Sequence, residues 1–446
     1  MRAVPRPLEL RLLLPLLILV PLGFLVTRIA STGTLDPGPM SVAIAYVGLM
    51  LAAHIGLRLA GNRGDQLLLP CVAAVGGVGI VMLNRLPQEL LGTDVFGAQL
   101  GMATTQLLWF GVGVSAMVLV AVGFRDDRIL RHYKYSWALA GTLLLVLTFL
   151  FGREVNGARL WIFLGPIGFQ PGEAIKIVLV IFIAGYLAEK RTLLAGASAR
   201  IGPLRVPPLP YLLPMIAIFV IVMLIVVISR DLGTALLFFG IFLTMLFVAT
   251  GRRSYVLLGI LLFLGGSFVA YKLFGHVRIR VDNWLDPFID PSGAGYQTVQ
   301  ALYAFGRGGL FGEGLGQGLP TISGRLPIPA LPTDFIFAAI AEELGLIGAF
   351  AVLALVMVFV FRGLRIAILA RDDFSSMLAV GLTVSLGLQT LIIAAGNVKL
   401  VPLTGITFPF LSYGGSSLLA CFVVVGLLLA ISHRSTVDAQ LEGRGP

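Results

Sequence analysis

Uncharged apolar runs long enough to cross a bilayer, on the order of 18 residues each, recur along this whole chain. Nothing in the sequence constrains the fold more. Hydrocarbon offers no partner to an exposed backbone N–H or C=O, so such runs fold as helices. The pattern predicts helices near 11–29, 40–60, 66–84, 103–122, 134–151, 173–188, 210–228, 232–250, 254–274, 335–360, 376–395 and 411–431. That is an all-α polytopic membrane protein of about twelve spans. The first run has the basic start of a signal peptide, but no small-residue cleavage site follows and further spans do, so it reads as a helix. With 58% hydrophobic and 12% charged residues, a soluble fold is excluded. Cys71 and Cys421 both lie inside apolar runs, and His54, His132, His276 and His433 are scattered without ligand spacing. Neither a disulfide nor a metal site is expected.

The net charge of +10 is a topology signal. With the N-terminus in the cytoplasm, 20 of the 32 Lys and Arg fall in short inside segments. These hold Arg2, Arg6 and Arg11, Arg58 and Arg63, the run from Arg125 to Lys134, and Lys190 to Arg205. Arg252, Arg253, Arg362, Arg365, Arg371, Arg434 and Arg444 complete them. The positive-inside rule therefore places both termini in the cytoplasm, in a multi-pass protein of the cytoplasmic membrane. The basic loops also suit anionic membrane lipids, and no nucleic-acid partner is implied. A P-loop and inverted repeats are missing from the sequence, which disfavours a pump or a common secondary transporter.

The longest outside loop, 276–334, is too rich in aromatic residues for disorder and predicts a short amphipathic helix from Tyr296 to Phe305. Its acids are Asp282, Asp286 and Asp290. Asp-Pro pairs at 286–287 and 290–291 form turns. Asp286 reads equally as a turn cap or a functional group, whereas Asp290, followed by Pro-Ser-Gly-Ala-Gly, reads as a general base. The glycines of 306–318 fit a tightly packed loop rather than a nucleotide fingerprint. Glu342 and Glu343 sit in a helix that Asp334 is expected to cap, roughly 12–14 Å deep at 1.5 Å per residue. They are either functional or ion-paired. Glu173 and Lys176, spaced i, i+3, share a helix face and are either functional or mutually neutralising. Arg153, Arg159 and Arg230 stand at outer helix ends, where a guanidinium either grips a diphosphate or snorkels to headgroups. Asp231 should cap the next helix. The last outside loop, with Lys399, is a second phosphate candidate.

Several ordered motifs from residue 134 onward resemble the SEDS family (shape, elongation, division, sporulation), which includes RodA and FtsW. They are N-G-A-R-L-W-I at 156–162, F-Q-P-G-E-A-I-K at 169–176, R-D-L-G-T-A at 230–235 and D-P-S-G-A-G-Y-Q at 290–297. T-D-F-I-F at 333–337, A-E-E-L-G at 341–345, P-L-T-G at 402–405 and P-F-L-S-Y-G-G-S-S at 409–417 complete the set. The resemblance implies a peptidoglycan glycosyltransferase that polymerises lipid II into β-1,4 glycan strands beside a class B penicillin-binding protein. It maps the family's loop aspartate onto Asp290 and its Gln-Pro-x-Glu-x-x-Lys pair onto Glu173 and Lys176. Arg159, Arg230 and Lys399 are expected to bind diphosphate, and Glu343 and Ser416 complete the substrate-binding set. A divalent cation, magnesium or manganese, is left open as cofactor. The alternative is a lipid II flippase, in which Glu342 and Glu343 would line a path. Gly172 stands where the family usually has Ser, Ala301 where Ser follows Gln, Arg230 where Pro is usual, and Lys399 where many members have Gly. Two extra spans precede the shared core, as in the actinobacterial RodA-type branch. The expected layout is 1–130 as N-terminal helices, 131–433 as the catalytic core, and 434–446 as a cytoplasmic tail.

Overall fold

The computed structural model describes residues 4–33, 40–86, 93–95, 98–124, 128–155, 158–165, 167–196, 199–201, 204–206, 209–318 and 326–441. Arg2, Arg125 and Arg444 of the charge count, Asn156 and Gly157 of the first motif, and 319–325 of the long loop lie outside these residues. The long helices are α1 (Pro7–Thr32), α2 (Met40–Leu59), α3 (Leu68–Asn84) and α4 (Met102–Gly123). After the short α5 (Arg128–His132) come α6 (Lys134–Phe151), α7 (Pro171–Gly196), α8 (Leu209–Ile228), α9 (Leu232–Thr250) and α10 (Arg253–Leu273). Then follow α11 (Gly275–Leu285), α12 (Tyr296–Gly308), α13 (Ile336–Ile368), α14 (Asp373–Asn397) and α15 (Gly415–Leu441). Among the described residues, 11 helices are long and apolar enough to cross a membrane, and α3 is a shorter apolar helix. Each of the twelve expected spans coincides with one of them. α12 is the expected amphipathic helix, extended to Gly308.

The connections hold structure that helix periodicity does not foresee. β1 (Thr93–Val95) pairs antiparallel with β2 (Ala98–Leu100), and β6 (Ala199–Ile201) with β7 (Leu204–Val206). β3 (Arg153–Val155), β4 (Ala158–Leu164) and β5 (Ile167–Phe169) make a three-stranded antiparallel sheet. The Asn-Gly at 156–157 is the strongest short-range hairpin signal a sequence carries.

The chain forms two compact units. One comprises 1–125, 283–362 and 389–446, and the other 126–282 and 363–388. In the first, a line of rings runs from Tyr46 through Phe110, Phe422 and Phe410 to Phe359. Glycine lets these rings approach. A Cβ on Gly76 would lie 2.5 Å from Phe110, and one on Gly113 2.3 Å from Phe422. Lipid gives helices no hydrophobic reason to associate, so close packing of this kind is what joins them. Residues 4–9, 62–66, 362 and 432–440 gather at one end of the unit through Arg6, Arg63 and Arg362. The other end gathers Arg85, Gln106, Trp284, Glu343, Lys399 and Ser412. In the second unit α6, α8 and α9 pack on α7, and α10 on α9.

The glycine run of the long loop docks on a break in α13. Gly345 has φ 67° and ψ −173°, outside any helix. The carbonyls of Glu342 and Glu343, next to the break, accept from Glu313 N and Gly314 N at 3.0 Å each. Leu346 N and Ile347 N, beyond it, donate to Gly309 O and Leu310 O. Gly312 has φ 84°, and a Cβ there would sit 2.1 Å from Glu343 O. Expected outcome: Gly345→Ala pays both for a forbidden φ and for a contact 2.4 Å from Leu310 O, lowering stability by about 2–4 kcal/mol. Gly266→Ala, in α10 with nothing within 4 Å of its Cβ, raises stability by up to about 1 kcal/mol. Thermal unfolding of the purified protein in one detergent separates the two; equal shifts would sink this account of the break.

Candidate active site

Asp290 begins a turn that its own carboxylate closes. Oδ1 accepts from Gly293 N at 3.0 Å and Oδ2 from Ala294 N at 2.9 Å. The side chain stays exposed, so each oxygen keeps lone-pair capacity for a substrate hydroxyl. The two glycines of Pro-Ser-Gly-Ala-Gly make the turn sterically possible. A Cβ on Gly293 would fall 2.2 Å from Asp290 Oδ2, and one on Gly295 2.1 Å from Pro287 O. Gly293 thus makes room for the carboxylate, and Gly295 for the backbone of Pro287 and Asp290. Asp286 caps its own turn, accepting from Phe288 N at 3.0 Å.

Two neighbouring side chains anchor that turn. Asn283 Nδ2 donates to Ala294 O at 3.0 Å, and Trp284 Nε1 donates to Lys399 O at 3.1 Å. The turn bearing Asp290 is thereby tied to the loop that carries Lys399. Lys399 has φ 61°, a left-handed backbone that few non-glycine residues adopt. Lys399 N donates to Gly396 O and Leu400 N to Ala395 O, which is a Schellman motif closing α14. Lys399 thus occupies the position where a helix end usually has glycine. Its ammonium has no hydrogen bond or ion pair among the described residues.

The intramembrane glutamates have partners. Glu343 is fully buried and ion-paired with Arg85, and its Oε2 accepts from Gly316 N at 2.7 Å. Glu342 pairs with Arg307 of α12 at 2.8 Å. They stand about 9–10 Å along α13 at 1.5 Å per residue, beside the helix break. Asp334 is not the N-cap. Phe335 O already accepts from Ala338 N and Ala339 N, so Phe335 holds that position and Asp334 lies one residue upstream. Ser416 is buried at 5% exposure in the first turn of α15. With Glu342 and Glu343 bound to arginines, the feature on which the flippase reading rested is accounted for.

The second unit holds the remaining expected residues. Lys176, 1% exposed, pairs with Glu173 at 2.8 Å. Asp231 caps α9, accepting from Thr234 N at 3.0 Å. Arg230, exposed at φ 65°, closes α8 by a second Schellman motif, with Arg230 N donating to Val227 O and Asp231 N to Val226 O. Burial, reinforced by Arg230 and Arg280, holds the His276 imidazole below its usual range. Arg280 and His276, overlooked as site candidates, therefore join Arg230 in one basic neighbourhood. The H-V-R-I-R-V run at the head of the long loop was the available signal. Arg159 is half exposed on β4, 3.7 Å from Glu154. Arg153 lies over the Phe163 ring.

Comparison with known proteins adds an independent line. The model of the FtsW, RodA and SpoVE family, described as "Cell cycle protein", matches residues 65–437. The chain is 43% identical over 396 residues to "Peptidoglycan glycosyltransferase RodA" of Mycobacterium tuberculosis, covering 88% of this chain and 83% of that one. It is 38% identical over 344 residues to "Stage V sporulation protein E" of Bacillus subtilis, covering 75% and 87%. Among solved structures it is similar to a chain from a peptidoglycan synthase complex that coordinates polymerization and crosslinking. There the TM-score is 0.66 at 28% identity, covering 83% of this chain and 98% of that one. Thermus thermophilus RodA gives a TM-score of 0.57 at 27% identity, covering 83% and 97%.

The buried pair makes a stability prediction. Glu343→Gln strands the Arg85 guanidinium in a site where burial already lowers its pKa to about 10, and should cost about 3–5 kcal/mol. The double replacement Arg85→Met with Glu343→Leu should recover most of that loss. Thermal unfolding of the three proteins checks it, and a double variant no more stable than Glu343→Gln would refute the pairing.

Proposed function

The chain belongs to the FtsW, RodA and SpoVE family, and we propose that Asp290 is the general base of its reaction. It is a multi-pass membrane protein and a peptidoglycan glycosyltransferase. The observation that carries the proposal is a carboxylate both exposed to an incoming hydroxyl and held by two backbone N–H groups in a glycine-packed turn. A positioned base of this kind contributes about 10²–10⁴-fold in rate.

The substrates are lipid II and a growing strand on the same kind of polyprenyl diphosphate. Asp290 takes the proton of the acceptor 4-hydroxyl as that oxygen attacks the donor's anomeric carbon. The new C–O bond forms while the bond to the diphosphate oxygen breaks, and the electron pair leaves with the diphosphate. Attack opposite an α-linked leaving group yields a β-1,4 linkage. Charge developing on the leaving diphosphate needs cationic stabilisation. Lys399 takes this role in the first unit, because its ammonium is uncommitted and its loop is tied to the Asp290 turn through Trp284. In the second unit, Arg230 and Arg159 are proposed by themselves as diphosphate-binding cations, and Glu173 and Lys176 neutralise each other there. Glu343 is a positioning residue that holds the glycine loop through Gly316, and Ser416 supports the start of α15. Among the described residues no three His, Cys, Asp or Glu side chains come together as a metal cage. The steps above are carried by side chains of this chain.

The distribution of Lys and Arg supports placing both termini in the cytoplasm and Asp290 at the outer face of the cytoplasmic membrane. A class B penicillin-binding protein fits as partner, since the related chain was solved in a synthase complex.

Asp290→Asn keeps the shape of the turn and removes the base, so lipid II polymerisation should fall by about 10²–10⁴-fold; normal glycan-strand formation by the purified variant would end the proposal. Gly293→Ala should follow it down, because the added methyl displaces the carboxylate, while Ser292→Ala, on the same exposed turn, should stay near wild type.

Lys399→Gly separates strain from function. Relief of a left-handed residue, about 1–2 kcal/mol, outweighs the lost cation at a helix C-terminus, about 0.3–1 kcal/mol. The variant should therefore unfold at a higher temperature yet polymerise more slowly. A more stable variant with unchanged rate would leave Lys399 without a catalytic role.

A further inference from the structure

At the end of the first unit remote from Asp290, a cleft of about 540 Å³ is lined by Val4, Pro5, Arg6, Asn62, Arg63, Gln66, Thr436 and Gln440. Most of it is built from residues ahead of position 65, where the family match begins. No acid lines it. Its three amide side chains all have their oxygens engaged by the protein. Asn62 Oδ1 accepts from Arg6 Nη1 and Gly64 N, Gln66 Oε1 from Leu8 N and Glu9 N, and Gln440 Oε1 from Arg63 Nη1. The amide nitrogens are what remain. Asn62 is 2% exposed, and its buried Nδ2 has no hydrogen-bond partner. Those of Gln66 and Gln440 have none among the described residues either. Thr436 has its hydroxyl turned back onto Ser432 O.

Among the described side chains that line or contact the cleft, Arg63 is the cation with no acid as partner. Arg6 is buried and neutralised by Glu9, at 2.5 Å, while its other N–H groups donate to Asn62, Gly64 and Asp65. Asp65 is paired with Arg362, and Glu9 also meets His54 Nδ1 at 2.7 Å. Arg63 is exposed and has only the neutral amide of Gln440 as side-chain partner.

We propose that this cleft is an anion site for a phosphoryl group, gripped by the Arg63 guanidinium and the amide nitrogens of Gln66 and Gln440 at its rim. A wall that offers donors and one uncompensated guanidinium, with its acceptors turned away, suits phosphate oxygens, which only accept. The cleft lies where the apolar helix α1 begins and α15 ends, and a lipid headgroup and free phosphate both supply this chemistry.

The test uses the full chain in nanodiscs of phosphatidylcholine, with or without phosphatidylglycerol. Wild type is compared with Arg63→Glu, Arg63→Ala and Gln440→Leu, three changes at the exposed rim. Native mass spectrometry counts retained phosphatidylglycerol, and thermal unfolding reads the effect of added inorganic phosphate. If a headgroup is the ligand, wild type retains phosphatidylglycerol and Arg63→Ala weakens retention by roughly fivefold, the weight of one arginine near an anionic surface. Arg63→Glu should weaken it further. If free phosphate is the ligand, it raises the unfolding temperature of wild type in phosphatidylcholine discs and not that of Arg63→Glu. The proposal is overturned if wild type and all three variants retain the lipid equally and respond equally to phosphate. Lipid II polymerisation by the same samples shows that each variant is folded, and a failure of Asp290 as base leaves this result untouched.

Discussion

Everything on the Asp290 side of the first unit depends on one accommodation of the rule that backbone polar groups in a membrane must be satisfied inside the protein. Helix α13 breaks at Gly345, and a break at that depth frees N–H and C=O groups that no lipid can serve. The glycine loop serves them through Glu313, Gly314, Gly309 and Leu310. A loop bonded into a helix is fixed in register, and that fixes what hangs from it. Arg307 meets Glu342, Arg85 meets Glu343, and Gly316 meets Glu343 from the loop's far side. The ion pairs are thus consequences of the docking more than its cause, since a buried pair alone roughly balances its desolvation.

The spans were legible because hydrophobic length is a one-dimensional signal, and twelve apolar runs became twelve helices. The role of Asp231 as a cap was equally local and equally readable. What could not be read was anything set by tertiary bonding. The partners of Glu342 and Glu343 come from positions 307 and 85, separations no periodicity reports. Only the placement of the Asp290 turn reveals that Gly293 makes room for the carboxylate and Gly295 for the Pro287 carbonyl. Asp334 looked like a cap because an acid preceded an apolar run, but the helix began two residues later. The hairpin of β3 and β4 is signalled by the Asn-Gly pair between the two strands, a cue that helix periodicity does not carry.

Arg230 and Lys399 teach a related lesson. Both stand in the left-handed position of a Schellman motif. Glycine would fill that position at no steric cost. A cation there keeps a small conformational penalty, partly offset by the negative end of the helix dipole. The penalty is visible only as a dihedral angle, which a sequence does not print.

The backbone at Arg230 has one more consequence. A pyrrolidine ring locks φ near −65°, so the residue usual in the family at this place cannot enter the conformation found here. A relative with proline at this place must close α8 and enter α9 by another path. Exchanging the short segment between relatives would carry over a side chain but not the path of the chain that suits it. Chimeras made across this junction should be cut inside the helices on either side, where the backbones are interchangeable, and never at the motif that makes the relationship recognisable.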